Sequence, residues 1–267
     1  MILALLLACQ DGPHDRDTWA VSVVEYAHSD TVEASRFVSG APGTLSLSWS
    51  IGVLRGHGRV VLVDTGTDLL ASAPAGAAAQ TWGVTEGRTL PDALARVGLA
   101  PKDVTDVILT HEHWDHADGI QHLAHARVVV PEGTWRRMRK RVTESGPAAL
   151  LAAMDAIDAA GRRVLPEQAE LPDVTVRLEG RHTPTHTTVQ VGCASGSYLF
   201  AGDAIATYAQ VDAGVPITMT ADPEGNRADI AAMRGRLPDA QHLLVLHDPA
   251  LYTLFPSAGV GVATVCP

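Results

Sequence analysis

Apolar and polar positions along the chain follow strand-like and helix-like periods, which together predict an α/β protein. Nine stretches show the alternation or the short apolar run of a β-strand, at residues 19–27, 46–54, 59–64, 105–110, 127–130, 173–179, 187–193, 197–202 and 241–246. Four stretches show the apolar period of a helix, at residues 90–97, 132–141, 148–160 and 223–236. Thr89 and Asp222 are suited to cap the first and the last of these helices. Strands in runs, followed by strands alternating with helices, suit two sheets with helices outside.

Side chains that bind metals follow four of the predicted strands. The strand at 105–110 leads into a segment that has four donors within six residues, namely His111, His113, Asp115 and His116. Three later strands lead to His182, Asp203 and His247. Neutral imidazole and carboxylate are ligands that zinc and similar divalent metals accept readily. Because an α/β scaffold gathers its strand ends at one edge, these donors are expected to meet in one site.

From about Arg59 to about Pro256 the chain resembles the metallo-β-lactamase-fold hydrolase superfamily. The shared pattern is His-x-His-x-Asp-His, then a histidine turn, an Asp after an apolar strand and a late His. The turn at residues 181–186 carries Arg181 and Thr185 where the family has glycine. The resemblance implies a four-layer αβ/βα sandwich, with two mixed sheets between outer helices, over residues 18–267.

The resemblance also implies a role for each donor. A first divalent metal would be held by His111, His113 and His182, a second by Asp115, His116 and His247, and Asp203 would bridge them. His186 and Asp64 match residues that support the ligands. Zinc is the expected metal, with manganese, iron and cobalt as alternatives. Two such metals bring the pKa of a shared water towards neutrality, so hydroxide is the expected nucleophile, and Asp115 is expected to move a proton.

Several shorter similarities point to the N-acyl-homoserine lactonase-like branch of the superfamily. They lie at residues 49–54 before Asp64, at residues 92–99, and at His247 with the aromatic residues that follow it. Asp203 stands where true metallo-β-lactamases usually have Cys or Ser. Lactonases of this branch often place a Tyr after the bridging Asp to contact the substrate carbonyl. Tyr208 is the candidate for that catalytic contact, and simple packing is the equal alternative.

The expected function is therefore the opening of a lactone by a dinuclear metal-dependent hydrolase. The alternatives are a hydrolase of the same fold acting on a β-lactam or thioester, a single-iron persulfide dioxygenase, and an inactive envelope binding protein. The formal net charge of −10 disfavours nucleic-acid binding, so the expected partner is a small-molecule substrate, with the oligomeric state open. A basic run at residues 135–141 is interpreted as a solvated helix face, or else as a surface for anionic membranes or charged substrates. The Ala/Gly-rich segment 68–88 is either a lid or an irregular loop.

The N-terminal residues 1–17 are interpreted as a signal segment and tether. The apolar run at residues 2–8 is too short to span a bilayer and matches a short signal h-region. Residues 6–9 resemble a bacterial lipobox, so Cys9 is expected to carry a lipid that attaches the protein to the membrane of the cell envelope, at its periplasmic face. A buried first strand in a cytoplasmic protein is the alternative. Cys193 and Cys266 are candidates for a disulfide in an oxidising envelope. The alternative for Cys193 is that it serves as a small buried apolar residue.

Overall fold

Two mixed β-sheets and their flanking helices make up the described part of the chain. A computed structural model describes residues 17–71 and 76–267. Within these residues the strands are β1 Ala20–Glu33, β2 Thr44–Gly56, β3 Arg59–Val63, β4 Val84–Gly87, β5 Asp106–Ile108, β6 Arg127–Val129, β7 Arg163–Val164, β8 Val174–Leu178, β9 Thr187–Cys193, β10 Gly196–Phe200, β11 Leu243–Leu244, β12 Ser257–Gly259 and β13 Val262–Cys266. The α-helices there are α1 Ala77–Thr81, α2 Leu90–Ala95, α3 Trp114–Ala117, α4 Glu132–Ser145, α5 Ala148–Ala159, α6 Tyr208–Ala213, α7 Pro223–Gly235 and α8 Leu251–Leu254.

Each sheet combines antiparallel and parallel pairs. The larger sheet has the order β12-β13-β1-β2-β3-β5-β6-β7, with β4 paired to β1. Its pairs are antiparallel from β12 to β3 and parallel from β3 to β7. The smaller sheet has the order β11-β10-β9-β8, and only its β10–β11 pair is parallel. This arrangement confirms the two mixed sheets expected from the sequence.

Among the described residues, three apolar clusters separate four layers of structure. One cluster lies between the sheets and joins Val23 and Val63 of the large sheet to Val189 and Phe200 of the small one. A second packs the other face of the large sheet against helices α2, α4 and α5. A third packs the outer face of the small sheet against Met233 and its neighbours on α7. The resulting order, helices, sheet, sheet and helices, is the expected αβ/βα sandwich.

Each of the nine predicted strands and four predicted helices overlaps an observed element, with ends that differ by up to six residues. The strand predicted at 241–246 is reduced to the two residues of β11. Thr89 accepts a hydrogen bond from the Asp92 amide, and Asp222 accepts one from the Gly225 amide, so both predicted helix caps are confirmed. The segment 68–88 contains α1 and β4 among its described residues, and β4 pairs with β1. Because β4 adds a strand to the large sheet, this part of the segment is not an irregular loop.

Cys193 and Cys266 are joined by a disulfide that links the end of β9 to the end of β13. The pair therefore ties the small sheet to the large one, and Cys193 is not simply a small apolar residue. Cys9 and the rest of the proposed lipobox lie outside the described residues. Among residues 17–71 and 76–267, no helix has both the length and the apolar character needed to cross a membrane.

Candidate metal centre

The structure brings all seven predicted donors together at the edge where the two sheets meet. Thr187 marks this edge, because its backbone N–H donates to the Thr110 carbonyl oxygen over 2.8 Å and so joins β9 to the end of β5. The donors form two groups, and within each group the ligand atoms lie within 4.8 Å of one another. The first group is His111, His113, His182 and Asp203, and the second is Asp115, His116, Asp203 and His247. Six of these seven side chains are buried, and His113 is half-buried. The edge therefore carries two adjoining groups of four donors each.

Asp203 belongs to both groups, and each of its oxygens faces a different one. Its Oδ1 lies 2.9 Å from His116 Nε2 and 3.1 Å from His247 Nε2. Its Oδ2 lies 3.3 Å from His182 Nε2 and 3.7 Å from His111 Nε2. Such spacings suit ligands that each lie roughly 2 Å from a common ion. The carboxylate thus has the placement of a bridge between two cations.

Hydrogen bonds at the opposite ring nitrogens orient three of the histidines. His116 Nδ1 donates to Asp64 Oδ2 over 2.8 Å. His182 Nδ1 donates to the Met219 carbonyl over 2.8 Å, and His247 Nδ1 donates to the Ser48 carbonyl over 3.0 Å. A proton on Nδ1 leaves the lone pair on Nε2, the atom that faces Asp203. These hydrogen bonds therefore hold each ring in the orientation that a metal ligand needs, with Nε2 towards Asp203.

Asp64 also secures the loop that follows β5. This carboxylate is fully buried, its residue has a positive φ of 62°, and its oxygens accept from the Thr110 amide at 2.8 Å and the Thr110 hydroxyl at 2.9 Å. Tyr26 secures the same loop from β1, because its hydroxyl donates to the Asp115 carbonyl over 2.8 Å. Sequence reasoning placed Asp64 near the ligands but missed Tyr26, which resembles any other core aromatic of a strand.

Gly202 and His186 position the Asp203 backbone. Gly202 has a φ of +52°, and a Cβ there would lie 2.6 Å from His186 Nε2, so a larger residue would disturb both neighbours. The Asp203 N–H donates to that His186 Nε2 over 3.1 Å, while His186 Nδ1 donates to the Glu179 carbonyl over 2.6 Å. Burial lowers the pKa of His186 to about 4 and keeps the ring a neutral acceptor. This matches the supporting role expected for His186.

Burial and mutual charge set the protonation of the donors. Burial lowers the pKa of His111 well below its usual value and lowers that of His182 as well. Burial acts in the same direction on His116, but the carboxylates of Asp203 and Asp115 outweigh it and raise its pKa well above the usual value. Burial alone raises the pKa of Asp203, yet the surrounding imidazoles, led by His116, hold it well below the usual value. Asp203 is consequently an ionised carboxylate among imidazoles.

The donor set fits a pair of divalent cations. With Nδ1 hydrogen-bonded to Asp64, His116 directs Nε2 at Asp203 Oδ1 over 2.9 Å and at His247 Nε2 over 3.3 Å. Among the described residues, the buried Asp203 Oδ1 has no hydrogen-bond partner. Buried acceptors that converge without donors between them are costly unless a cation lies there. Nitrogen and carboxylate ligands of this kind suit zinc and its neighbours in the first transition series.

A cavity of about 190 Å³ opens beside the donors and is strongly aromatic. Its walls include His113, Asp115 and Asp203 on one side, and Phe37, Trp49, Trp82, Trp114 and Met219 on the other. Three of the five tryptophans in the chain thus border the candidate site. Sequence reasoning missed this wall because its members are far apart in the chain and each has the pattern of an ordinary core residue.

A sequence model of the metallo-beta-lactamase superfamily matches residues 48–240, which hold six of the seven donors. The chain belongs to this superfamily. Among curated proteins it is similar to metallo-beta-lactamase domain-containing protein 1 of Xenopus laevis, with 30% identity over 106 residues. That match covers 38% of this chain and 43% of the frog protein, so it spans less than half of that relative.

Solved structures with the same fold include two lactonases. A quorum-quenching N-acyl homoserine lactone lactonase aligns with a TM-score of 0.69 at 20% identity, over 91% of this chain and 98% of its own. AidC, a dizinc quorum-quenching lactonase in complex with the product N-hexanoyl-L-homoserine, aligns with a TM-score of 0.65 at 14% identity, over 93% of this chain and 94% of its own. At these identities the similarity shows the metallo-beta-lactamase fold alone.

Tyr208 is not brought to the metal centre of this metallo-beta-lactamase fold. Its hydroxyl donates to the Leu243 carbonyl over 2.8 Å, and its ring packs among the apolar residues of the small sheet. Burial raises the pKa of Tyr208, so the phenol stays protonated and keeps that hydrogen bond. Of the two interpretations left open for Tyr208, this placement matches packing.

The turn that carries His182 departs from the superfamily pattern in a structured way. Arg181 keeps a positive φ of 62° although it is not glycine, and its guanidinium pairs with Asp222 at 2.8 Å and Asp229 at 3.1 Å. Thr185 hydrogen-bonds to Thr134 of α4, with 2.6 Å between the two hydroxyl oxygens. Both replacements of glycine therefore tie the turn to neighbouring helices, Arg181 to α7 and Thr185 to α4.

Proposed function

We propose that this protein is a dinuclear metal-dependent hydrolase that opens a lactone similar to an N-acyl-homoserine lactone. The observation that carries the proposal is Asp203, whose two oxygens face two different groups of imidazoles at 2.9–3.7 Å. A mononuclear centre would need only one of these groups. One ion would be held by His111, His113 and His182, the other by Asp115, His116 and His247, and both by Asp203.

The proposed metals are zinc ions, and the similarity in fold to AidC, a dizinc lactonase, supports this choice. When bound, two divalent cations polarise a substrate carbonyl and lower the pKa of a water towards neutrality. The chain itself supplies the anionic Asp203, which offsets the charge of both ions. It also limits the access of bulk solvent, since six of the seven donors are buried at the junction of the sheets.

Asp115 is the proposed proton carrier of the reaction. It borders the cavity, and its Oδ2 lies 3.4 Å from His116 Nε2 and 3.8 Å from His247 Nε2. Lactone opening adds the elements of water, because the ring C–O bond breaks and the departing oxygen must receive a proton. A carboxylate at the boundary between donors and cavity is placed to take a proton from the attacking water and deliver it to that oxygen.

The aromatic cavity wall supports a lactone that carries an apolar group. Phe37, Trp49, Trp82 and Trp114 present a large apolar surface next to the donors, and such surfaces hold acyl chains through burial. A phosphodiester would place an anionic phosphate group against this wall at a desolvation cost. The lactonases among the proteins of similar fold support the same substrate class.

The test is a hydrolysis panel of acyl-homoserine lactones, β-lactams, thioesters and phosphodiesters with protein of measured zinc content. We expect lactone opening to be fastest, two ions per chain, and loss of activity with a chelator. Asp203→Asn should abolish turnover, whereas Asp155→Asn, a surface control that pairs with Arg139, should not.

Other results of the panel would contradict the proposal. Faster turnover of a β-lactam, thioester or phosphodiester assigns a different hydrolase. One bound iron per chain, with oxygen consumption in a separate persulfide assay, assigns a dioxygenase. Two bound ions with no turnover of any substrate would assign a binding protein.

A further inference from the structure

The basic run of α4 divides between two directions. Arg139 points to α5, where its guanidinium pairs with Asp155 at 2.6 Å and Asp158 at 2.7 Å. Arg137 and Arg141 instead point to the loop that follows β5, where Arg137 pairs with the Glu112 carboxylate and Arg141 donates to the Glu112 carbonyl. Arg141 also pairs with Asp118, which follows α3. The run is therefore not simply a solvated helix face, because two of its arginines contact the loop that carries four of the proposed metal donors.

Arg137 connects the two loops that carry every histidine of the first donor group. Its Nε donates to Glu112 Oε1, and its Nη2 donates to Glu112 Oε2 at 3.2 Å. The same Nη2 donates to Thr185 Oγ1. Glu112 stands between His111 and His113, and Thr185 follows His182 by three positions. A single guanidinium thus spans the gap between the two ligand loops.

Further hydrogen bonds close this network. Thr183, the residue after His182, donates its hydroxyl to Glu112 Oε2 over 3.2 Å. Thr134 of α4 donates its hydroxyl to the Thr185 carbonyl over 3.0 Å. Glu112 is buried, and its carboxylate accepts hydrogen bonds from both Arg137 and Thr183. A charged, hydrogen-bonded carboxylate is held firmly because leaving it unpaired would be costly.

The local sequence is adapted to this contact. Thr185 stands where the superfamily has glycine, and its hydroxyl is what Arg137 binds. The first turn of α4 has Gly133 opposite it, where a Cβ would lie 2.8 Å from the Thr185 methyl and 3.3 Å from Arg137 Nη1. Small size at position 133 and a hydroxyl at position 185 therefore allow the helix to approach the turn closely.

We infer that Arg137, acting through Glu112 and Thr185, is a positioning residue for the donor group of His111, His113 and His182. The second group has separate supports, since Asp64 orients His116 and the Ser48 carbonyl orients His247. Loss of Arg137 therefore weakens one metal site and spares the other. The planar fork matters, because a lysine ammonium is a single point of charge that cannot span a carboxylate and a hydroxyl in this geometry.

The inference rests on the proposed dinuclear site and is tested by metal binding without any substrate. Metal-free protein is titrated with Co²⁺ alone against a chelating competitor, and the visible absorption bands report the ligand geometry. His247→Ala removes a donor of the second group and so identifies which binding step belongs to the first. The variants are Arg137→Met and Arg137→Lys, with Arg139→Met as the matched control on the same helix.

In Arg137→Met we expect the first-group step to weaken by about 10- to 100-fold, the usual effect of losing a partner that orients ligands. Its absorption bands should shift, and the second step should keep its affinity. Arg137→Lys should behave like Arg137→Met, and Arg139→Met like the wild type. If Arg137→Met does not fold, Thr185→Val, which removes only the hydroxyl contact, should weaken the same step.

Three results would overturn the positioning role. They are unchanged binding in a folded Arg137→Met, equal weakening of both steps, and full rescue by lysine. Wild-type protein that binds no ion would instead contradict the proposed function, so the two failures are distinguishable.

Discussion

Asp203 shows how one residue depends on its immediate neighbours. Gly202 supplies the left-handed backbone before it, and His186 accepts its N–H. The carboxylate that results from this placement faces two groups of imidazoles at once. A change at Asp203 should therefore affect the site far more than the fold, whose core lies in the three apolar clusters.

We predict that Asp203→Ala lowers kcat/KM for the lactone by more than about 100-fold, beyond the loss caused by removing a supporting partner. The physical reason is that two cations would repel each other without the anion between them. Urea unfolding of the metal-free variant should change by less than about 2 kcal/mol. Wild-type turnover in a variant with both metals bound would show that Asp203 has no bridging role.

His186 predicts a pH dependence of the metal-free protein. Its folded pKa of about 4 lies below the unfolded value, which is about 6.5. Between these values the unfolded chain binds the additional proton, so this group costs stability as the pH falls from about 6.5 to about 4. In His186→Gln that contribution is absent, so the unfolding free energy should fall less steeply with decreasing pH than in the wild type. The two slopes should differ by up to about 1.4 kcal/mol per pH unit. Urea titrations with chelator present measure both slopes, and parallel curves would contradict the assignment.

At the scale of secondary-structure elements, the cavity wall is assembled from four separate parts of the chain. Phe37 follows β1, Trp49 lies in β2, Trp82 follows α1 and Trp114 begins α3. Trp82 and Trp49 meet edge to face with 5.8 Å between ring centroids, and the Arg36 guanidinium lies 3.8 Å from the Trp82 centroid. The wall is thus a packed aromatic surface whose position depends on all four elements.

We predict that Trp82→Ala reduces kcat/KM for a long-chain acyl lactone by about 10-fold or more, since a lost apolar contact of this size costs about 1–3 kcal/mol. An unsubstituted small lactone serves as the control substrate, and its turnover should change much less because it does not reach the wall. An equal loss on both substrates would mean that Trp82 supports the metal loop rather than the acyl group.

The whole molecule is closed by a covalent link between its sheets. The Cys193–Cys266 disulfide joins β9 to β13, and disulfides persist mainly in oxidising compartments. This supports, independently of the N-terminal residues, the proposal that the protein functions outside the cytoplasm.

We predict that Cys9 is lipidated. The protein should then be recovered with membranes, because its acyl chains contribute about 0.8 kcal/mol per buried CH₂. Cys9→Ser should release the protein or stop its maturation, as judged by fractionation and by mass spectrometry of the N-terminus. A mature protein that begins at Met1 and stays in the cytoplasm would refute this location without affecting the hydrolase proposal.

Much of this protein was predictable from local signals in the sequence. The seven donors, from His111 to His247, follow strand ends, and the three longest helices, α4, α5 and α7, show clear periodicity, because ligand chemistry and amphipathic period are properties of short segments. The donors were accordingly expected in one place, and the structure brings them together there. Their role as metal ligands stays a prediction.

Only the tertiary structure decided what depends on packing between distant segments. Four features join residues that are far apart in the sequence. They are the aromatic wall, the hydroxyl contact of Tyr208, the Cys193–Cys266 pair and the link from Arg137 to Glu112. Strands β12 and β13 were not predicted from the sequence. Their place beside β1 follows from sheet pairing, which is set by the register and burial of the whole molecule rather than by any one segment.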